Sequence, residues 1–364
     1  MPISLSGRYA LQGNQCRAGV ECYAADVNGA GGIFVREVAR QVRVELRVYD
    51  DQSDGPTARA LTEKLIRENV DLLFGPYGSG LTDAVAGLAD QHERVLWNHS
   101  GAGVGSPWIV GVLTPASRYF QSVLDLLKAC DPEPQRVALL HASTGFGTAV
   151  AEGVRGWAQR EGVTLKTHAY RSGADDLTSQ LNTAATEPAD VLLGVGRIED
   201  DLLLARAICA ARPRIKAAGL VAAGIACFQQ ELHDQADGFV APTQWEPAVR
   251  YEVDYGPPGA DFREKFLATA GVELDYPAAQ AYAAGLVAQR CIEDAGSLGQ
   301  HALQAAARRC QMTTFYGRFG IDPLTHRQTG HSMLVVQWQR GRKRIVWPPE
   351  FAEADPIYPG PFWR

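Results

Sequence analysis

The stretch FGPYGSGLT, residues 74–82, has the spacing of a phosphate-binding loop without its lysine. From Gly75 it reads Gly-x-x-x-x-Gly-Leu-Thr, with Leu81 where such a loop places the lysine that reaches the phosphates. The stretch follows an apolar, strand-like run and precedes a helical pattern. Free backbone N–H groups and the positive end of a helix would then point at whatever sits above Gly78–Leu81. A triphosphate also wants a lysine and a basic surround. One carboxylate needs only a few N–H groups and a hydroxyl, and Ser79 offers the hydroxyl. The plainer reading is that Gly78, Ser79 and Gly80 form a turn and an N-cap. NHSGAG (98–103) stands at the C-terminal end of the next expected strand, where open α/β sheets bind ligands. Asn98 and His99 can hydrogen-bond a ligand there, or His99 can be a buried, internally satisfied side chain.

Other chemistries find little support. There is no G-x-S-x-G, no H-E-x-x-H and no kinase set, and GAGVG (101–105) misses the dinucleotide spacing. Ser79, Asp83 and His99 are near enough in sequence to suggest a triad, but such trios arise by chance in long chains. The seven cysteines form no C-x-x-C and no group with histidine at zinc-ligand spacing, so neither metal nor cofactor is expected. Their scatter argues for buried thiols, although one pair such as Cys209 and Cys227 could close. A formal charge of -6 with no long basic run removes the usual footprint for nucleic acid or an anionic membrane. No window of 18 residues is apolar and uncharged, so no membrane-spanning helix is expected.

The elements that must hold these loops are legible as a rhythm. Apolar β-rich runs at 44–50, 71–76, 94–100, 136–143, 165–171, 190–196, 217–223 and 237–243 alternate with helical patterns, among them GPTARALTEKLIREN and EDDLLLARAICAARP. Strands separated by helices at this spacing imply doubly wound parallel sheets, and 364 residues favour two α/β lobes. After Pro242 the rhythm stops. WEPAVRYEVDYGPPGAD reads as an excursion, residues 277–296 as a long helix, and residues 333–349 as two strands around Arg340-Gly341-Arg342. The Pro- and aromatic-rich tail is expected to lie extended on the surface.

Taken in order, SLSGRYALQG, GVECYAADVNGAGGI, VELRVYDDQSDGPTARALTEKLI, the 74–82 loop, TPASRYF, DYPAAQAYAAGLVA, TTFYGRFGID and MLVVQWQRGRKRIVWPPE resemble the solute-binding proteins of branched-chain amino acid ABC transporters. These are type I periplasmic binding proteins, with amide- and urea-binding relatives, and the resemblance spans nearly the whole chain. It implies two lobes joined by three crossovers and closing on a ligand by hinge motion. Lobe 1 would hold residues 1–116 and 244–312, and lobe 2 residues 117–243 and 313–364. The implied ligand positions in lobe 1 are Gln12, Tyr77, Gly78, Ser79, Asn98, His99, Ser100, Gly101 and Ala102. In lobe 2 and near the middle crossover they are Phe146, Arg197, Ala222, Trp245 and Glu246.

Several of these depart from the family pattern. Ala102 lacks a hydroxyl that many relatives carry, and Phe146 lacks a tyrosine's phenol while keeping the aromatic lid. Arg197 could fork onto a second carboxylate or pair with Glu199 or Asp200. Ala222 or Ala223 stands where amino acid binders often keep an acid for the ligand's ammonium. Glu246 or Asp254 is a candidate substitute, and Trp245 either lines the cleft or pins the hinge. The resemblance thus implies a non-catalytic importer component, with a small amino acid, carboxylate or amide as ligand and ABC permease subunits as partners. The alternative is a cytosolic sensor of the same fold. MPISLSGRYALQG lacks the layout of a signal peptide. The family's chains carry a whole strand before P-x-S-G, so the expectation is a start codon placed too late, with that strand and an export signal upstream.

Overall fold

The computed structural model describes residues 1–103, 105–133, 135–185 and 188–363. The chain divides into two compact units, Met1–Pro115 with Val249–Ser332, and Ala116–Ala248 with Met333–Arg364.

Unit 2 is built on a seven-stranded sheet. Its spatial order is Thr164–Tyr170, Arg136–Ala142, Val191–Val195, Ala217–Leu220, Val240–Thr243, Leu334–Gln339 and Arg342–Trp347. The first five are parallel, and the last two add antiparallel as a hairpin. Val191–Val195 is buried at every residue, which is why it reads as one apolar run rather than an alternation. Gly194 permits this, since a Cβ there would lie 2.4 Å from the Leu220 side chain and 2.6 Å from Leu204. The tail is tied to unit 2 by two bonds: Ile357 N–H donates to Gln337 Oε1 at 2.8 Å, and the Tyr358 hydroxyl donates to Asp131 Oδ2 at 3.1 Å.

Unit 1 has shorter parallel strands. Leu73–Phe74, Leu96–Asn98 and Ile109–Gly111 form one piece, and Pro2–Ile3 with Tyr49–Asp50 another. Helix Gly55–Arg67 starts where the Asp54 carboxylate accepts the Thr57 N–H at 2.9 Å, and it carries Lys64 and Arg67 in its last turn. The central helix, Tyr276–Ala295, starts at Asp275 and stops at Gly296 with φ of 68°. It packs on Ala10–Gly29, where small residues let the backbones meet. A Cβ at Gly19 would stand 2.2 Å from the Ala278 carbonyl oxygen.

Three expectations are corrected. The 44–50 run pairs only at Tyr49–Asp50. The middle crossover lies at 248/249 rather than 243/244, because Gln244, Trp245 and Glu246 are buried and bonded within unit 2. The last lies at 332/333 rather than 312/313, because the hairpin of Gln311–Thr314 and Gly317–Gly320 is anchored in unit 1. There Phe315 stacks on Phe262 at 4.3 Å, and Tyr316 stacks on His331 at 4.6 Å. The excursion after Pro242 also contains a helix, Gly259–Thr269, that the Pro- and Gly-rich composition hid.

Candidate functional site

In unit 1 the loop and helix stand as the spacing predicts. Leu73–Phe74 ends, Gly78 turns with φ 87° and ψ 151°, and helix Ser79–Gln91 begins without a side-chain cap. That conformation belongs almost exclusively to glycine. Ser79 does not cap its own helix: its Oγ accepts the Ala102 N–H at 3.1 Å. The hydroxyl keeps its proton to donate. Among the described residues the N–H groups of Ser79, Gly80 and Leu81 meet no acceptor in the chain, so the first turn presents three donors at the positive end of the helix.

The 98–103 loop is the frame that holds this turn. Asn98 Oδ1 accepts the N–H groups of Ser100 at 3.1 Å and Gly101 at 2.7 Å, while its amide donates to the Gly101 carbonyl at 2.7 Å. Ser100 donates its hydroxyl to the Pro76 carbonyl at 2.9 Å and accepts the Gly78 N–H at 3.2 Å. Gly101 must be glycine, because a Cβ would sit 2.4 Å from Thr82 Oγ1. His99 is fully buried and lies 2.9 Å from the Gly75 carbonyl through Nε2, which must therefore carry the proton. Burial lowers its pKa to about 4, so it stays neutral and acts as a tie between neighbouring strands.

Gln12 lies in the first turn of Ala10–Gly29, a turn brought to the loop by the Tyr9 ring, 5.9 Å from that of Tyr77. Gln12 is buried, and its Oε1 has no partner among the described residues. A buried acceptor left open in this way costs stability unless a ligand or water fills it. Neither 74–83 nor 96–103 contains Lys or Arg, so positive potential at the turn comes from backbone alone.

Unit 2 places its candidates at the C-terminal ends of its parallel strands. Thr144 caps helix Gly145–Glu161 by accepting the Gly147 N–H at 3.1 Å, and Phe146 lies half-buried in its first turn. The Phe146 ring meets Tyr119 edge-on at 5.0 Å, and the Tyr119 hydroxyl accepts from Gln244 at 3.0 Å. Arg197 is the N-cap of Ile198–Ala211. Its N–H donates to Asp200 Oδ2, and its guanidinium makes no ion pair with Glu199 or Asp200 among the described residues. Asp200 instead accepts from the Ser172 hydroxyl at 2.5 Å and the Gly173 N–H at 2.8 Å.

The loop with Ala222 and Ala223 is fixed by three partners that spacing does not reveal. Asp201, fully buried, accepts the Ala222 N–H at 2.8 Å. Trp338 Nε1 donates to the Ala223 carbonyl at 2.8 Å, and Lys343 donates to the Gly224 carbonyl at 2.8 Å. Lys343 also pairs with Glu246 at 2.9 Å, both side chains being largely buried. Glu246, the candidate acid for a ligand's ammonium, is thus already paired with a cation within unit 2. Trp245, 1 % exposed, is a packed anchor. Asp200-Asp201 looks like ordinary acid at a helix start and Lys343 like one more charge in RGRKR, so neither carried a signal.

Burial raises the Asp201 pKa from 3.8 to about 8. An unfolded aspartate releases its proton near 3.8, so between that pH and about 8 the folded state holds more protons. Stability contributed by this group is complete below about pH 4 and is lost as pH rises, by up to about 1.4 kcal/mol per unit. Asp201→Asn keeps an acceptor for the Ala222 N–H and removes the titration. Melting temperature followed from pH 5 to 8 should fall less steeply in the variant than in the wild type. Parallel profiles would disprove the assignment.

Among the described residues no group of three or more His, Cys, Asp or Glu is placed to hold a metal, and no helix is long and apolar enough to cross a membrane. No disulfide joins Cys209 and Cys227, so the pairing considered from sequence is absent.

A family model described as periplasmic binding protein matches residues 1–343. The Leu/Ile/Val-binding protein homolog 8 of Brucella abortus (strain 2308) is 23 % identical over 96 % of this chain and 90 % of its own. The branched-chain amino acid transporter substrate-binding protein LivJ of Streptococcus pneumoniae, solved with isoleucine, superposes with a TM-score of 0.78 at 15 % identity, covering 98 % of each chain. An ABC transporter solute-binding protein of R. palustris, solved with benzoate, gives 0.73 at 19 % identity over 94 % of this chain and 93 % of the other. The match over residues 1–343 makes this chain a member of the periplasmic binding protein family, whose members bind solutes rather than catalyse.

Proposed function

We propose that the protein is the extracytoplasmic solute-capturing component of an ABC importer, that it closes by hinge motion on a small monocarboxylate with an apolar body, and that it delivers this ligand to permease subunits. The observation that carries the reading is the uncapped first turn at Ser79. Three open N–H groups, one free hydroxyl proton and no basic side chain suit a single carboxylate and undersupply a phosphate. The ligands of the two solved relatives, isoleucine and benzoate, are both small carboxylates with apolar bodies.

They differ in the ammonium, and here the acid expected at Ala222 is missing, while Glu246 already pairs with Lys343. An ammonium buried without an anionic partner is costly. The ligand is therefore closer to benzoate than to isoleucine in its polar groups. A thermal-shift panel pairing leucine with 4-methylpentanoate, and benzoate with benzamide, tests this, because a specific binder stabilises by mass action. The acids lacking an amine should raise the melting temperature most, and the amide should not. Equal shifts for benzoate and benzamide would reject the carboxylate seat; a preference for leucine would reject the missing-ammonium reading.

A further inference from the structure

Two of the seven cysteines meet inside unit 1. Cys291 lies near the end of the central helix, Tyr276–Ala295, and Cys310 directly follows helix Gln300–Arg309, which packs on the central one. The two residues are 0 % and 5 % exposed, and the Cys291 thiol donates a hydrogen bond to the Cys310 sulfur. Other thiols are bonded to backbone: Cys16 donates to the Pro277 carbonyl at 3.3 Å and Cys209 to the Gln235 carbonyl at 3.6 Å. Thiols in contact meet the condition that most cysteine pairs fail. Residues with Cα atoms more than about 7 Å apart, or with diverging side chains, cannot be bridged unless the backbone moves.

Helix Gln300–Arg309 is held firmly at its start. Gln300 Oε1 accepts the Val95 N–H at 2.9 Å, and its amide donates to the Asp71 carbonyl at 2.9 Å. Along its length the helix buries Leu303, Ala306 and Ala307, and two alanines supply little apolar area. Its far end leads straight into Gln311–Thr314, the hairpin strand that continues to Phe315 and Tyr316 on their stacking partners. A tie at Cys310 therefore fixes the end of the helix and the root of the hairpin together.

We propose that Cys291 and Cys310 are the two halves of a disulfide that forms while the protein folds, by exchange with a small-molecule disulfide, and that fastens the end of helix Gln300–Arg309 to the central helix. Before the helix docks, the Cys310 thiolate attacks one sulfur of the small disulfide and expels one thiolate. Docking then delivers Cys291, whose thiolate attacks the Cys310 sulfur of the mixed disulfide and expels the second. Two electrons pass from the cysteines to the small disulfide, and both cysteine protons end on the released thiols. Once the helix is docked, burial keeps oxidants from the free thiols and reductants from the finished bridge. Export, as in the proposed function, brings the folding chain to a compartment where disulfides persist. The chemistry itself depends only on a small disulfide being present.

The test refolds the full chain from urea in a buffer of oxidised and reduced glutathione, alkylates it in denaturant and measures its mass. Two of the seven thiols should escape alkylation, and peptide mapping should join the Cys291 and Cys310 peptides. Cys310→Ser refolded in the same way should leave all its remaining thiols open to alkylation. Cys209→Ser, outside the pair, should still lose two. The bridged protein should melt about 5 °C or more above the same chain refolded with reductant, because the bridge restricts the unfolded chain. Equal melting would overturn the fastening role. Oxidised glutathione added to the folded, reduced protein should close the bridge about tenfold or more slowly than during refolding; equal rates would overturn the folding-stage route. Seven alkylated thiols after refolding, or a bridge mapped to other cysteines, would overturn the proposal as a whole.

Discussion

Lys343→Met is expected to destabilise the protein by about 3–5 kcal/mol, the usual cost of removing one member of a buried ion pair. The Lys343 and Glu246 side chains are only 16 % and 7 % exposed, so solvent cannot take over the role of the missing partner. The loss has two parts. Glu246 is left as a buried anion, and the Gly224 carbonyl loses the donor that reaches it at 2.8 Å. Glu246→Gln in the same background removes the stranded charge but leaves the carbonyl unserved. The double variant should therefore recover more than half of the loss and stop about 1 kcal/mol or more short of wild type. Urea unfolding of the wild type, both single variants and the double variant gives the cycle. A single-variant loss below about 1 kcal/mol would place the pair in water and remove it as the clamp on the 222–224 loop.

That clamp marks where reading the sequence stops. The central parallel strands of unit 2 were legible because burial on both faces turns Val137 to Leu140 and Val191 to Val195 into apolar runs that no loop would tolerate. Helix ends were legible for a similar reason, since Asp54, Thr144 and Gly296 do their work within a few residues of themselves. Lys343, Glu246 and Gly224 carry no such mark. Their meeting depends on the strand at Arg342–Trp347 being placed beside Leu334–Gln339, which is in turn placed beside Val240–Thr243, a property of the sheet and not of any short segment. The same limit misplaced the last crossover: TTFYG looks like a connector, and only the stacking of Phe315 on Phe262 ties it to unit 1. In the 98–103 loop, residue types were informative but roles were not. Ser100 and His99 each look able to hold a ligand, yet both are bonded inward, and the hydroxyl proton left open is that of Ser79.

Gly78→Ala is expected to weaken ligand binding by about a hundredfold or more, while its neighbour Gly80→Ala leaves binding close to wild type. The two glycines differ in backbone and not in space, since a Cβ at either position meets nothing within 4 Å. At Gly78 the backbone holds φ 87° and ψ 151°, a region where any other residue costs about 1–3 kcal/mol. The chain can relieve that strain by rotating the turn, which misaims the N–H groups of Ser79 and Gly80. Hydrogen bonds to a charged acceptor contribute about 1.5–3 kcal/mol each, so losing two from a carboxylate corresponds to at least a hundredfold in affinity. Gly80 lies inside the helix, where alanine is the better helix former and the N–H stays in place. Calorimetric titration of both variants with the strongest acid of the panel separates the readings. If the two variants bind alike, the turn at Gly78 is only a helix cap, and the carboxylate seat must lie elsewhere.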